Sequence, residues 1–258
     1  MVKGLYTAYT GMIHQQKRLD VISNNLANSA TVGFKREGAT AKAFNDELAI
    51  KIKDASEGFV NRGLGGMSMG VKFGETYRDY SQGSFRVTDN TYDLALDGEG
   101  FFQVSFTNKQ GETSVKLTRD GNFTVNVEGY LVTKDGDFVL GTDGAPIQLD
   151  PNSETTIDAA GRVIQDDAVI ANISVVDVED YNYLQKYGEN MYDLVEGGQL
   201  TESVAVIEQG CLEQSNVQVV KEMVEMINVT RAYETNQKAI QSVDATLDKA
   251  VNQVGRVQ

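Results

Sequence analysis

The sequence predicts an α+β fold: long N- and C-terminal helices that pair as a coiled coil, with a central antiparallel β domain. Three observations carry this expectation. Apolar residues recur every seven positions at both ends of the chain, glycine-containing turn pairs punctuate the middle, and the acidic charge is concentrated between the ends. At 258 residues and 41% hydrophobic content, the chain can build one large core or two modest ones.

At the N-terminus, Leu5, Met12, Leu19 and Leu26 lie seven apart, with Ala8 and Ile22 at the intervening positions of a heptad seam. At the C-terminus, Val219, Met226, Tyr233, Ile240, Leu247 and Val254 repeat with the same period, joined by Val229, Val243 and Ala250. Ser215 followed by Gln218 has capping-box spacing, which places the second helix start near Ser215. From there to about Gly255 is some forty residues, roughly 60 Å of helix. The first helix contains Gly4, Gly11 and the β-branched Thr7, Thr10, Ile13, Val21 and Ile22, so its intrinsic propensity is poor and it needs a partner. A helical layer packed on the middle domain is the other reading of the same stripes.

The middle changes period. From Phe123 the pattern FTVNVEGYLVTKDGDFVL alternates at first and is broken by Glu128-Gly129 and Asp135-Gly136, which are hairpin signals. Further turns are expected at Asp97-Gly98, Asp120-Gly121 and Asp143-Gly144, with strand-like runs at Phe101–Phe106 and Ile170–Val178. The chain therefore divides into helical ends, 1–36 and 211–258, and a β-rich domain, 62–210. The linking arm 37–61, with Phe44, Leu48, Ile50 and Ile52 between charges, also fits a short helix.

Composition excludes several functions. Residues 1–36 hold five basic residues against one acid (+4), 37–210 hold thirteen against thirty (−17), and 211–258 hold five against six (−1). So acidic a middle repels phosphate, and no basic patch is interleaved with aromatics, so no nucleic acid is expected as a partner. No apolar run approaches 18 residues, so no membrane span is expected, and the N-terminus lacks a secretory h-region. A single cysteine, Cys211, permits no internal disulfide.

Catalytic chemistry is equally thin. His14, the one histidine, has no acidic partner three or four residues away. Gly63-Leu64-Gly65-Gly66 enters a strand-like stretch rather than opening a helix, so it is no dinucleotide loop. An EF-hand starting at Asp135 would place its twelfth ligand at Pro146. Asp97 and Glu99 could be imagined as a glycosidase pair, but turn chemistry explains them more simply. No catalytic residue, cofactor or metal ligand is assigned, and an enzyme is not expected.

One stretch asks for more. LDVISNNLANSATVGFKRE (19–37) resembles the N-terminal signature of bacterial flagellar basal-body rod and hook proteins. YDLALDGEGFFQV (92–104), LTRDGNFTVNVEGYLVTKDGDFVLG (117–141) and QGCLEQSNVQVVKEMVEMINVTRAYETNQKAI (209–240) resemble that family's central and C-terminal signatures, in its order.

The resemblance implies an axial building block whose terminal helices pair as the inner layer of a hollow tube, with the β domain outside. Such a subunit transmits torque from motor to hook and lets export substrates pass. It implies a basal-body location, reached through type III export without a cleaved leader. The implied partners are copies of the same chain, other rod and hook proteins, the export apparatus and rings surrounding the rod. Within the family the chain looks like a rod protein, because it has one β domain of about 150 residues. The length of 36–62 favours the distal over the proximal type, although YNYLQKYGENMY (181–192) departs from the family's usual Asn-Pro-x-Gly-Leu approach.

The residues expected to form the assembly interface are Leu5, Met12, Leu19, Ile22 and Leu26 on the first helix and Val219, Met226, Tyr233, Ile240, Leu247 and Val254 on the second. Asn24, Asn25 and Asn28 join them, offering amide donors and acceptors to adjacent backbones. The same asparagines also suit a helix end followed by a turn at Gly33. A secreted β-rich adhesin or binding module with coiled-coil oligomerising ends is the alternative from another class, and an enzyme acting on cell-wall glycan is third.

Overall fold

The computed structural model describes residues 2–44, 47–51, 62–108, 111–188 and 190–254. They fall into two compact units. The first comprises Met1–Ala27, Glu37–Asp79 and Gln218–Gln258, and the second Asn28–Arg36 and Tyr80–Val217. The chain passes from one unit to the other four times.

The first unit is built on two helices, α1 (Val2–Ala27) and α2 (Val219–Lys249), the latter ending in a π-helical turn over Ala250–Val254. Three contacts set their direction. Gly11 faces Asn236, Arg18 pairs with Glu225, and Asn25 reaches Glu222. Numbers rise on one helix as they fall on the other, so the two run antiparallel.

A second stripe on α1 carries His14, whose ring lies 6.5 Å from that of Phe73 in the strand Val71–Arg78. That strand pairs antiparallel with Glu37–Ala43, and Glu47–Lys51 pairs with Arg62–Met67. Residues 37–43 and 47–51 are thus strand, not the short helix that also fitted the sequence; Ile52 lies outside the described residues. The poor helix former α1 is held on two sides, which supplies the partner its propensity requires.

α2 begins at Val219, four residues after the expected start. Ser215 does not close a capping box: its Oγ accepts from Val217 N at 3.3 Å, and Gln218 holds the N-cap without a side-chain bond. The helix proper has 31 residues, roughly 46 Å, shorter than expected.

The second unit is antiparallel β, as the turn pattern predicts. In its largest sheet the order is Leu184–Tyr187, Met191–Leu194, Thr113–Thr118, Phe101–Thr107, Phe138–Val139, Leu131–Thr133, Phe123–Val125, with Val175–Val178 also joined to Phe101–Thr107 and to Leu200–Glu202. Strand alternation divides the core. Phe102 and Val104 enter a cluster with Leu94, Phe123, Leu131 and Ile147, while Phe101 points the other way, to Leu117, Val178, Leu184 and Tyr192.

The turn signals sort by outcome. Glu128-Gly129 and Asp135-Gly136 close the hairpins between Phe123–Val125, Leu131–Thr133 and Phe138–Val139, and Asp143-Gly144 closes a tight turn in which Gly141 N donates to Ala145 O. Asp97-Gly98 and Asp120-Gly121 connect strands that do not pair with each other. Gly121 is needed for a close approach instead: a Cβ there would lie 1.7 Å from Leu94 O. The expected run Ile170–Val178 is two strands, Ala168–Asn172 and Val175–Val178, in different sheets. It breaks at Ile173, which is buried and whose N–H donates to Gly161 O. Among the described residues no helix is long and apolar enough to cross a membrane.

Candidate assembly interface

The asparagine-rich end of α1 resolves into one clamp. Asn25 is 1% exposed; its Nδ2 donates to Glu37 O at 2.7 Å and its Oδ1 accepts from Glu37 N at 2.9 Å. One side-chain amide thus bonds both backbone groups of Glu37, the first residue of the strand and the partner of Arg78 in its ladder. The same Nδ2 lies 3.4 Å from Oε2 of Glu222, which is 0% exposed on α2. Arg78 Nε pairs with the Glu37 carboxylate at 3.2 Å.

Its two neighbours behave differently. Asn24 is exposed. Asn28 begins the second unit, where its C=O accepts from Thr31 N at 3.2 Å and its Oδ1 from Thr31 Oγ1 at 3.4 Å, a turn closing the chain after the helix. The backbone-pairing role and the helix-end role therefore belong to different asparagines.

Of the other residues expected at the interface, Ile22 is buried, while Leu5, Met12, Leu19, Leu26, Met226, Tyr233, Ile240 and Leu247 are half-buried in the single chain. Val219 is 38% exposed, and the side chain of Val254 lies outside the described ones.

A second stripe on α2 escaped the heptad reading. Val220 (76% exposed), Met223 (47%), Val224 (54%) and Ile227 (52%) follow the spacing i, i+3, i+4, i+7 on one face. The letters VVKEMVEMI carry that spacing openly, but tracking only every seventh residue from Val219 passes over it. Val220 and Val224 border a groove of about 790 Å³ with Gln15, Arg18 and Glu225. On α1, Tyr6, Tyr9 and Ile13 are likewise exposed. Apolar side chains left in water at helical spacing form a surface that further burial would stabilise.

In the second unit, three signature stretches meet at a buried ionic centre. Lys35 Nζ lies 2.7 Å from Glu213 Oε1 and donates to Ser81 O at 3.0 Å; Gly83 N donates to the same Oε1 at 2.9 Å. Arg119 Nη1 stands 3.3 Å from Glu213 Oε2. Gly33 N donates to Glu213 O, and at φ +68° its Cα lies so close that a Cβ would stand 2.5 Å from Arg119 C. Charge buried this deeply is stable only when paired and hydrogen-bonded, and the stretch Gly33-Phe34-Lys35 supplies both the close backbone approach and the ammonium that this centre requires.

Fold and surface together define a structural class: an α+β chain whose first and last segments make one helical unit, with a β-rich unit inserted between them. Family descriptions match the same three parts. "Flagella basal body rod protein" covers residues 5–35, "Flagellar hook protein FlgE/F/G D1 domain" 95–165, and "Flagellar basal body rod FlgEFG protein C-terminal" 208–254. The chain is 32% identical to the flagellar hook-basal body complex protein FlhO of Bacillus subtilis and 32% identical to the flagellar basal-body rod protein FlgF of Caulobacter vibrioides, covering all of each chain. It is 33% identical to the flagellar basal-body rod protein FlgG of Buchnera aphidicola over 96% of its own length and 98% of the relative's. The chain belongs to the flagellar basal-body rod protein family. Its place is the flagellar basal body, and its role there is structural.

Proposed function

We propose that this chain is a subunit of the flagellar rod that self-assembles with copies of itself into a hollow shaft, transmitting torque from motor to hook and letting export substrates pass. α1 and α2 pair as a coiled coil and form the inner layer; the β-rich unit makes the outer contacts. Neighbouring rod and hook proteins, the export apparatus and surrounding rings are its partners, and it performs no catalysis. The length of segment 36–62 supports the distal type, although relatives named FlgF and FlgG match at similar identity.

The observation that carries this reading is the exposed stripe Val220, Met223, Val224 and Ile227. At about 25 cal/mol per Å² of apolar surface buried, covering it repeatedly along a shaft is a strong drive to assemble. The adhesin alternative is not favoured, because the relatives are named as flagellar proteins.

The test replaces Val220, Val224 and Ile227 by Ser in the full chain. Sedimentation and electron microscopy should show loss of tubes, with the thermal transition of the β-rich unit unchanged. Tubes of normal length from the triple variant would overturn the reading.

A further inference from the structure

The helical unit is apolar on two sides. Along α1, the exposed Tyr6, Tyr9 and Ile13 recur at i, i+3 and i+7, and along α2 the exposed stripe runs from Val220 to Ile227. The seam between the helices is marked by Gly11 against Asn236 and by Arg18 paired with Glu225. At about 100° per residue, Tyr9 and Ile13 stand nearly half a turn from Gly11, and Met223 and Ile227 nearly half a turn from Glu225. Each patch therefore points away from the partner helix, on opposite sides of the pair.

Patches placed back to back are not both covered by one two-fold pairing. Two copies joined stripe to stripe leave both tyrosine faces in water, and two joined tyrosine to tyrosine leave both stripes. A head-to-tail contact, with the tyrosine face of one copy on the stripe of the next, covers both with a single kind of contact. Each added copy then presents a fresh face, so growth continues.

Charge favours the same arrangement. α1 (Val2–Ala27) holds three basic residues against one acid, net +2, and α2 (Val219–Lys249) holds four against five, net −1. Opposite net charges meet when α1 of one copy lies on α2 of another, whereas like charges meet in α1–α1 or α2–α2 contact. The groove beside the stripe combines the apolar Val220, Val224 and Val229 with the amides of Gln15, Gln218 and Asn228. A tyrosine suits such a lining, with its ring on the valines and its hydroxyl bonded to an amide.

We propose that Tyr6, Tyr9 and Ile13 of one copy dock head to tail on the Val220–Ile227 stripe and groove of a second copy. This rests on the assembly reading given above and names the contact that the assembly uses.

The test uses the full-length chain with Cys211→Ser, so that an introduced cysteine is its single thiol. Chains carrying Tyr9→Cys and chains carrying Val224→Cys are mixed under conditions of tube formation and treated with a short bis-maleimide cross-linker. The mixture should give dimers of one chain of each kind, at least about 10-fold more than either chain gives with itself. With Cys211 retained, Tyr6→Gln combined with Tyr9→Gln should raise the threshold concentration for tubes about 10-fold or more, because tyrosines buried in an interface carry much of its binding energy. Should that variant fail to fold, the cross-link decides alone. Where the wild-type chain forms tubes, cross-linking of the Val224→Cys chain to itself, no cross-link in the mixture, or an unchanged threshold in the folded tyrosine variant would overturn the proposal and leave the assembly reading standing. A wild-type chain that forms no assemblies at any concentration would remove both.

Discussion

The helical unit buries Asn25 and Glu222 and leaves Val220, Met223, Val224 and Ile227 in water along one helix face, while the β-rich unit surrounds Phe102, Val104 and Phe123 with an apolar core and pairs its own buried charges, Lys35, Arg119 and Glu213, with one another. The second has a continuous apolar core of its own, with exposed apolar residues such as Val127 and Val204 scattered over separate loops. The first has polar groups where a monomer would place apolar ones, and apolar groups where it would place charge. Polar burial at Asn25 fixes one strand against one helix, a matter of register, whereas apolar exposure leaves energy to be gained from neighbours. Under the proposed function the difference has a reason: the β-rich unit is stabilised within the single chain, the helical unit by the neighbours it would gain in a shaft.

Substitutions should separate them. Phe102→Ala removes a fully buried ring and should cost about 3–5 kcal/mol in the β-rich unit, whereas Ile227→Ala should change monomer stability by less than about 0.5 kcal/mol. Calorimetry of the two variants checks the contrast, and equal losses would erase it.

Lys35→Met tests the ionic centre. With its partner gone, Glu213 stays buried beside Arg119 alone, and the expected loss is about 3–5 kcal/mol, confined to the β-rich unit. Denaturant unfolding followed by amide exchange would locate it; protection lost mainly in α1 or α2 would contradict the assignment.

Within the helical unit, Asn25→Ala removes the amide that bonds both Glu37 N–H and C=O and should cost about 1–3 kcal/mol, while Asn24→Ala, at an exposed position, should cost less than about 0.5 kcal/mol. Comparing the two midpoints of unfolding decides whether the clamp or the general richness in asparagine matters.

Much of this was legible in the letters. Heptad spacing placed α1 and α2, and paired acid-glycine turns placed the hairpins, because both depend on local periodicity and local backbone sterics. What local patterns do not encode was missed. Gly121 reads as a turn residue but serves an approach to Leu94 O, a contact between segments far apart in sequence. Asn25 cannot be told from Asn24 until the position of Glu37 is known. The start of α2 slipped because Ser215 bonds locally to Val217 and leaves Gln218 to begin the helix. Lys35, Arg119 and Glu213 lie in three separate signatures, and their common burial is a product of topology.

The smallest effect concerns pH, and it sharpens the comparison because the chain has one histidine, in the helical unit. His14 is buried against Phe73, and burial, then the charge of Arg18 one turn on, holds its imidazole below the ordinary value of 6.5. The folded state therefore prefers the neutral ring, while the unfolded chain takes up a proton below about 6.5. The contribution to stability is present in full above that pH and is lost as the pH falls through 6.5 toward the depressed folded value. A tenfold difference in the ring's proton affinity between the folded and unfolded chain is worth about 1.4 kcal/mol. His14→Phe keeps the ring contact and removes the proton. Between pH 7.5 and 5.5 the wild-type helical unit should lose more thermal stability than the variant, while the β-rich unit shows the same pH response in both; identical curves for the helical unit would show that its histidine is no better solvated in the unfolded chain than against Phe73.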